Sequence, residues 1–182
     1  MDWENCGRTL DVRLGAIPAM LAIVPRVVRG LNLQDMERIK AIIRTAYPAA
    51  PQLNCETLAE WMQGLAPVLL IDVRSPEEFA VSHLRGAINR GNAAQIVQAL
   101  EERKAARTVL YCAVGFRSSR LAQILSGRGV AGVMNLEGSM FQWANEGRPI
   151  YRDERPVQEV HPYGKRWAGL LKPGLAGRCW HE

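Results

Sequence analysis

The sequence has no cysteine pair of the C-x-x-C type and no cysteine–histidine spacing that is typical of a structural metal site. Its four cysteines stand far apart, at positions 6, 55, 112 and 179. A chain of 182 residues that is 48% hydrophobic has enough apolar material for a core without disulfide bonds. We therefore expect free thiols and a reducing, cytoplasmic compartment.

Long runs of lysine and arginine are also missing, although the net charge is +5 and the isoelectric point is near 9.3. A mildly basic chain without a binding motif gives no reason to expect nucleic acid as a partner. Internal repeats and low-complexity tracts are absent as well. Length and composition therefore favour one domain with extensions.

The sequence has no apolar run long enough to cross a membrane. Its most apolar stretch, residues 14–31, repeats Leu, Ile and Val at alternating steps of three and four and is interrupted by two prolines. The residues before it are mixed in charge and no small-x-small cleavage site follows, so we do not expect a signal peptide. We interpret 14–31 as an apolar arm packed on the domain or on a partner. Membrane-surface contact helped by Arg13, Arg26 and Arg29 is one alternative, and a mostly disordered extension is another.

Short apolar runs alternate with helical patterns through the middle of the chain. A helix is predicted over residues 34–46, and Asn54 is predicted to cap a second helix. The predicted strands include 67–73, 86–89, 108–111 and 133–136. Strands that alternate with helices indicate an α/β fold with a small, mostly parallel sheet, in which ligands bind beyond the carboxyl ends of the strands.

These patterns divide the chain into three parts. Residues 1–51 form an N-terminal extension that contains the apolar arm and the first helix, and residues 52–151 form the α/β domain. Residues 152–182 form a basic C-terminal tail rich in proline and glycine. Apolar side chains in the tail, Leu170 and Leu171 among them, are expected to anchor it in a surface groove.

The most informative segment runs from Cys112 to Ser119, between an apolar strand and a helical pattern. A cysteine at this junction faces the first turn of a helix, whose free N–H groups and dipole favour an anion. Gly115 permits a positive φ, so that successive N–H groups can surround the sulfur, and Arg117 adds a cation. Ser118 and Ser119 are expected to cap the first turn.

These surroundings predict a depressed pKa and a reactive thiolate at Cys112. The alternative is a small buried hydrophobe, which is the usual role of a lone cysteine at a strand end. The glycine, the arginine and the two serines that follow at once favour a functional role.

The motif Cys-x-x-Gly-x-Arg-Ser, which begins at Cys112, resembles the active-site loop of the rhodanese (sulfurtransferase) family. Three further motifs resemble signatures of that family in the same order, and the likeness covers residues 52–151. They are Asp72-Val73-Arg74 with Glu78-Phe79, the segment Ser82-His83-Leu84-Arg85-Gly86-Ala87-Ile88-Asn89, and Leu136-Glu137-Gly138-Ser139 with Trp143 and Gly147-Arg148-Pro149. The resemblance implies a rhodanese-like topology with helices on both faces of the sheet.

The resemblance also implies that Cys112 takes a sulfane sulfur from a small donor such as thiosulfate and holds it as a persulfide. The sulfur then passes to a thiophilic acceptor such as cyanide, a thiol or a protein cysteine, and neither a metal nor an organic cofactor is needed. The residues assigned to persulfide and anion binding form the loop itself: Ala113, Val114, Gly115, Phe116, Arg117 and Ser118. Among them, Arg117 is the candidate for holding an anionic donor, with an ordinary helix-surface arginine as the alternative.

Residues outside the loop receive supporting or structural assignments. The resemblance implies that Asp72 and Arg74 hold the framework of the loop, with donor binding by Arg74 as the alternative. The resemblance places His83 in a structural signature, which is favoured over a general base. Cys55 and Cys179 lack the electropositive, glycine-bearing context of the loop, so neither is favoured as a resolving thiol.

The chain departs from the family pattern at three positions. Ser82 and Ser139 stand where the family has glycine, and Arg85 stands where it has proline. None is expected to touch the nucleophile. Arg85 and Ser139 are expected to alter the access rim of the site, which leaves the donor and acceptor open.

Two other functions compete with sulfur transfer. Phosphatases and arsenate reductases of related fold have an active-site loop that resembles Cys-x5-Arg. Here only four residues separate Cys112 from Arg117. The length of the loop therefore favours sulfur transfer over phosphate chemistry. A non-catalytic binding module is the second alternative. Because Cys112 is present, a binding function would have to reside in the N-terminal arm or the C-terminal tail.

Overall fold

The structure is a computed structural model that describes residues 35–105 and 107–177. The apolar arm predicted at 14–31 lies outside the described residues, as do Cys6 and Cys179. The elements within them, in chain order, are α1 (Met36–Ala46), β1 (Gln52–Leu53), α2 (Cys55–Gln63), β2 (Val68–Asp72), α3 (Pro76–Val81), β3 (Ile88–Asn89), α4 (Ala93–Arg103), β4 (Arg107–Tyr111), α5 (Phe116–Gly127), β5 (Val133–Leu136), α6 (Ser139–Asn145), β6 (Ile150–Arg152), β7 (Arg155–Val157) and α7 (Lys165–Ala168).

Five strands form one parallel sheet in the order β1-β5-β4-β2-β3. The chain moves outward through β2 and β3, then returns through β4 and β5. Since crossovers between parallel strands are right-handed, this reversal places helices on both faces of the sheet. The prediction of an α/β fold with a mostly parallel sheet is confirmed. Asp72 pairs in register with Tyr111, so the residues that follow β2 and β4 lie side by side at the carboxyl edge.

Side chains alternate between two cores along the strands. Leu69, Ile71 and Leu110 pack in one cluster with Ile96 of α4 and Leu125 of α5. On the other side of the sheet, α2 packs against α6, and both helices bury apolar side chains. The sheet is thus covered on both faces, which leaves its carboxyl edge for chemistry.

Four helices begin at side chains that accept hydrogen bonds from the first turn. Asp35 caps α1, Asn54 caps α2, Ser75 caps α3 and Asn92 caps α4. The first helix was predicted from residue 34 and begins at Met36 instead, because the extended backbone at Asp35 provides the cap.

The C-terminal segment folds back onto the domain within the described residues. β6 and β7 form an antiparallel hairpin, so the predicted domain boundary after residue 151 falls inside β6. Val160, Leu170 and Leu171 are buried, and Asn145 of α6 bonds to the backbone of Leu170 and Lys172 at 2.6 and 2.8 Å. Among the described residues, no helix combines the length and apolarity needed to cross a membrane.

Candidate active site

The loop between β4 and α5 has the strand–loop–helix form that its sequence predicts. β4 ends at Tyr111, and α5 begins at Phe116, directly after Gly115. Gly115 has a φ of +102°, and a Cβ there would come within 3.4 Å of the Asn135 amide nitrogen and 3.5 Å of the Leu136 carbonyl oxygen. These are ordinary contact distances, so the positive φ is what requires glycine at this position.

The Cys112 sulfur lies inside this loop and is almost fully buried, with the residue 1% exposed. The Gly115 N–H donates to Sγ at 3.2 Å, and the Ser118 hydroxyl donates to it at 3.4 Å. Burial alone would raise the pKa of the thiol. The positive charge of Arg117 and the hydrogen bonds from Ser118 and Gly115 outweigh burial and lower the pKa below its ordinary value. The loop therefore favours a thiolate.

The predicted helix-capping role of the two serines is wrong. Gly115 occupies the N-cap position of α5, and no side chain caps this helix. Ser118 and Ser119 lie in the first turn itself, beyond the position from which a side chain caps a helix. The Ser118 hydroxyl binds the sulfur instead, and the Ser119 hydroxyl accepts a bond from the Gln52 amide at 3.3 Å.

Arg117 pairs with Glu78 of α3. Both terminal nitrogens of the guanidinium donate to the two carboxylate oxygens at 2.7 Å. Burial would raise the pKa of the Glu78 carboxyl, but the bonds from Arg117 hold it below its ordinary value. Arg117 thus places a positive charge near the sulfur while its terminal nitrogens are engaged by a carboxylate. Each terminal nitrogen still has a second N–H, so an anionic donor would bind those N–H groups beside Glu78 or displace the carboxylate.

The remaining loop residues are buried or contact a neighbouring aromatic side chain. Ala113 and Val114 are buried, and Phe116 makes an edge contact with Tyr47 at a centroid distance of 5.2 Å. Tyr47 directly follows α1 and packs against the buried cluster that contains Cys112. A residue of the N-terminal extension thereby contacts the active-site loop.

Asp72 and Arg74 form a fully buried ion pair at the end of β2, with Nη2 of the arginine 2.7 Å from the carboxylate. Arg74 also donates to the Ser82 carbonyl at 2.6 Å. The Asn89 amide binds the carbonyl oxygens of both Asp72 and Arg74, at 3.0 and 2.9 Å. This network ties the end of β2 to β3 and to the segment after α3, and it leaves the Arg74 side chain without exposed surface.

Ser139 is a site residue that sequence reasoning missed, and its predicted place at the access rim is wrong. It is fully buried, its hydroxyl accepts the Cys112 N–H at 3.2 Å, and it donates to the Leu136 carbonyl at 2.8 Å. The N–H groups of Met140 and Phe141, at the start of α6, donate to the Cys112 and Ala113 carbonyls. The first turn of α6 thus holds the backbone of the loop. The sequence shows that serine replaces the family glycine at this position, but it does not show that the hydroxyl contacts the Cys112 backbone.

His83 and Cys55 are residue types that often act in catalysis, but here each packs within the structure. The His83 ring stacks on Phe79 at a centroid distance of 4.0 Å, and its Nδ1 bonds to the Phe79 carbonyl at 3.0 Å. Cys55 is buried in α2, and burial raises the pKa of its thiol to about 12. The environment of Cys55 therefore does not activate its thiol. No group of three or more His, Cys, Asp or Glu side chains suited to a metal ion occurs in the described ranges.

Comparison with curated proteins finds relatives over this part of the chain. A sulfurtransferase of Allochromatium vinosum is 30% identical over 103 residues, which are 57% of this chain and 96% of the relative. An uncharacterized protein of Synechocystis sp. is 38% identical over 143 residues, which are 62% of this chain and 78% of the relative. The relatives support a sulfurtransferase-type role at the level of the family.

Comparison with solved structures gives the same fold. The thiosulfate sulfurtransferase of Pseudomonas aeruginosa superposes with a TM-score of 0.54 at 21% identity, over 66% of this chain and 23% of that chain. The family model of the rhodanese-like domain matches residues 54–146, a span that contains Cys112 and its loop and confirms the resemblance found in the motifs. The chain belongs to the rhodanese-like family.

Proposed function

We propose that this protein is a sulfurtransferase in which Cys112 carries a sulfane sulfur as a persulfide. The observation that supports this most directly is the environment of the Cys112 sulfur. It receives hydrogen bonds from the Gly115 N–H and the Ser118 hydroxyl, close to the charge of Arg117. A thiolate stabilised in this way is the nucleophile that sulfur transfer needs.

In the first half-reaction, the Cys112 thiolate attacks the outer sulfur of a donor such as thiosulfate. A sulfur–sulfur bond forms to Cys112 while the bond within thiosulfate breaks, and sulfite leaves with the bonding electron pair. One thiolate and one dianion become one persulfide anion and one dianion, so charge is conserved. Backbone N–H groups of Ala113 to Arg117 would hold the terminal sulfur of the persulfide.

In the second half-reaction, a thiophilic acceptor attacks the terminal sulfur and releases the Cys112 thiolate. Cyanide would leave as thiocyanate, and a small thiol or a protein cysteine would leave as a persulfide. The cycle requires a free thiol at Cys112, and both cysteines in the described ranges are free. We therefore place the reaction in a reducing compartment, the cytoplasm.

Arg117 acts through its charge in this mechanism. Its two terminal nitrogens stay on Glu78, so the guanidinium stabilises the thiolate and the persulfide from a fixed position. This differs from the expectation that Arg117 binds the donor directly. Donor binding by Arg117 would be recognised by a fall in the KM for thiosulfate when Glu78 is neutralised.

Thiocyanate production from thiosulfate and cyanide tests the proposal. We expect the wild-type protein to turn over, Cys112→Ser to be inactive, and Cys55→Ser to keep wild-type activity because Cys55 is buried in α2. Equal rates for wild type and Cys112→Ser would rule out Cys112 as the carrier. No turnover by folded wild type with any sulfane donor would favour the binding-module alternative.

A further inference from the structure

The C-terminal segment reaches the active-site loop from outside the matched rhodanese-like domain. The ring of Tyr163 lies over the Arg117 guanidinium, with Cζ 4.9 Å from the ring centroid. This separation is within the range in which an aromatic face attracts a cation. Tyr163 also makes an edge contact with Trp167 at 6.3 Å.

The position of Tyr163 is not explained by burial or by backbone preference. The residue is 54% exposed, and its φ of +63° is unfavourable for a side chain of this size. Such a conformation persists only where the surrounding structure imposes it, and it is found at functional sites as well as in turns.

The segment around Tyr163 is fixed at both ends. Before it, Val160 is fully buried and bonds to Leu175 at 2.7 Å and to Gly177 at 2.9 Å. After it, Leu170 and Leu171 are buried, and Leu170 is bonded to Asn145 of α6. The anchors thus hold an exposed aromatic ring on the one guanidinium of the Cys112 loop.

We propose that Tyr163 is a positioning residue for the Cys112 reaction, whose ring covers one face of Arg117 and holds the Arg117–Glu78 pair in the orientation that places positive charge beside the sulfur. The ring excludes water from that face of the guanidinium. Less screened by water, the charge of Arg117 acts more strongly on the buried thiolate. The inference deepens the proposed sulfur transfer, and its catalytic meaning rests on that proposal.

The test compares Tyr163→Asn, Tyr163→Phe and Tyr151→Leu in the full chain. Asparagine tolerates a positive φ and removes the ring, while phenylalanine keeps the ring face. Tyr151→Leu is the matched control, because Tyr151 makes a comparable contact with Arg85 at 5.5 Å. The rate of alkylation of Cys112 by iodoacetamide is followed against pH by peptide mass, and thermal unfolding confirms that each variant is folded.

We expect Tyr163→Asn to raise the pKa of the Cys112 thiol by about half a unit and to slow alkylation about threefold below that pKa. Tyr163→Phe and Tyr151→Leu should match the wild type. Equal profiles for Tyr163→Asn and wild type would overturn the proposal. An equal loss in Tyr163→Phe would also overturn it, since the ring face would then not be the cause.

This readout needs no sulfur donor, so the two proposals fail separately. A wild type that takes up no sulfur but shows the expected Tyr163 effect on alkylation would overturn the proposed function alone. A wild type that takes up sulfur, together with an unchanged Tyr163→Asn variant, would overturn the role of Tyr163 alone.

Discussion

The chemistry of Cys112 depends on a few contacts of single atoms. Burial works against a thiolate, and the Arg117 charge with the two donors on Sγ more than offsets it. Ser118 is the side-chain donor and Ser119 is its neighbour of equal burial without a bond to the sulfur. The pair therefore offers a matched comparison.

Ser118→Ala should raise the pKa of Cys112 by about one unit, because a hydrogen bond to a charged group is lost. Below that pKa the thiolate fraction, and with it the alkylation rate, should fall about tenfold; well above it the rates should converge. Ser119→Ala should leave the pH profile of alkylation unchanged. Identical profiles for the two alanine variants would show that the Ser118 bond is not what stabilises the thiolate.

Residue-scale prediction succeeded where the determinants are local in sequence. The positive φ of Gly115 and the lowered pKa of Cys112 follow from a short strand–loop–helix motif. The contacts of Ser139 and Glu78 join residues 27 and 39 positions apart, and only the fold decides that they meet. Ser118 does not cap the helix, because it is the third residue after the N-cap Gly115 and its hydroxyl points to the Cys112 sulfur.

At the scale of elements, the start of α5 determines the shape of the loop. Gly115→Ala should lower the free energy of unfolding by about 2 kcal/mol because of strain at positive φ, and it should reduce sulfur uptake by Cys112. Gly127→Ala, at the other end of α5, has open space around its Cβ and should keep both properties. Urea unfolding and persulfide formation measure the two effects. Equal stability of the two variants would contradict the role given to Gly115.

Helix α3 is joined to α5 by the Glu78–Arg117 pair. Because the pKa of Glu78 is lowered from 4.5 in the folded protein, its contribution to stability is present above pH 4.5 and disappears as the pH falls through the folded pKa. Glu78→Gln should cost about 2 kcal/mol at pH 7, and the difference from wild type should shrink at lower pH.

Urea unfolding at a series of pH values measures this dependence. Glu77→Gln is the control, since Glu77 lies in the same first turn of α3 but is exposed, and it should show a smaller change. The difference in free energy of unfolding between Glu78→Gln and wild type could instead stay constant from pH 7 down to the acid limit of folding. That result would contradict an ionised pair.

At the scale of the molecule, segments on both sides of the matched domain contribute to its packing. Helix α1 buries Ile39 and Ile43, and its Arg44 pairs with Glu137. The C-terminal segment buries Val160, Leu170 and Leu171. The fold class was predictable because alternating strands and helices allow few arrangements. The burial of Leu170 and Leu171 was predictable from their apolar side chains, but the residues that hold the C-terminal segment were not, because they meet it over long separations in sequence.

A fragment of residues 50–152 should therefore be less stable than the full chain by at least about 5 kcal/mol, since it loses these buried side chains. Urea unfolding of the two proteins gives the comparison, and the Cys112 alkylation profile shows whether the loop is retained. A fragment with full stability and an unchanged profile would mean that the extensions are separable from the domain.

The central claim is the covalent transfer of sulfur to Cys112. Intact-protein mass after incubation with thiosulfate, without reductant, tests it most directly for wild type and Cys112→Ser. The account predicts a gain of one sulfur atom in the wild type, its removal by cyanide, and no gain in the variant. A folded wild type that gains no sulfur, from thiosulfate or from other sulfane donors, would contradict it, as would an equal gain in Cys112→Ser.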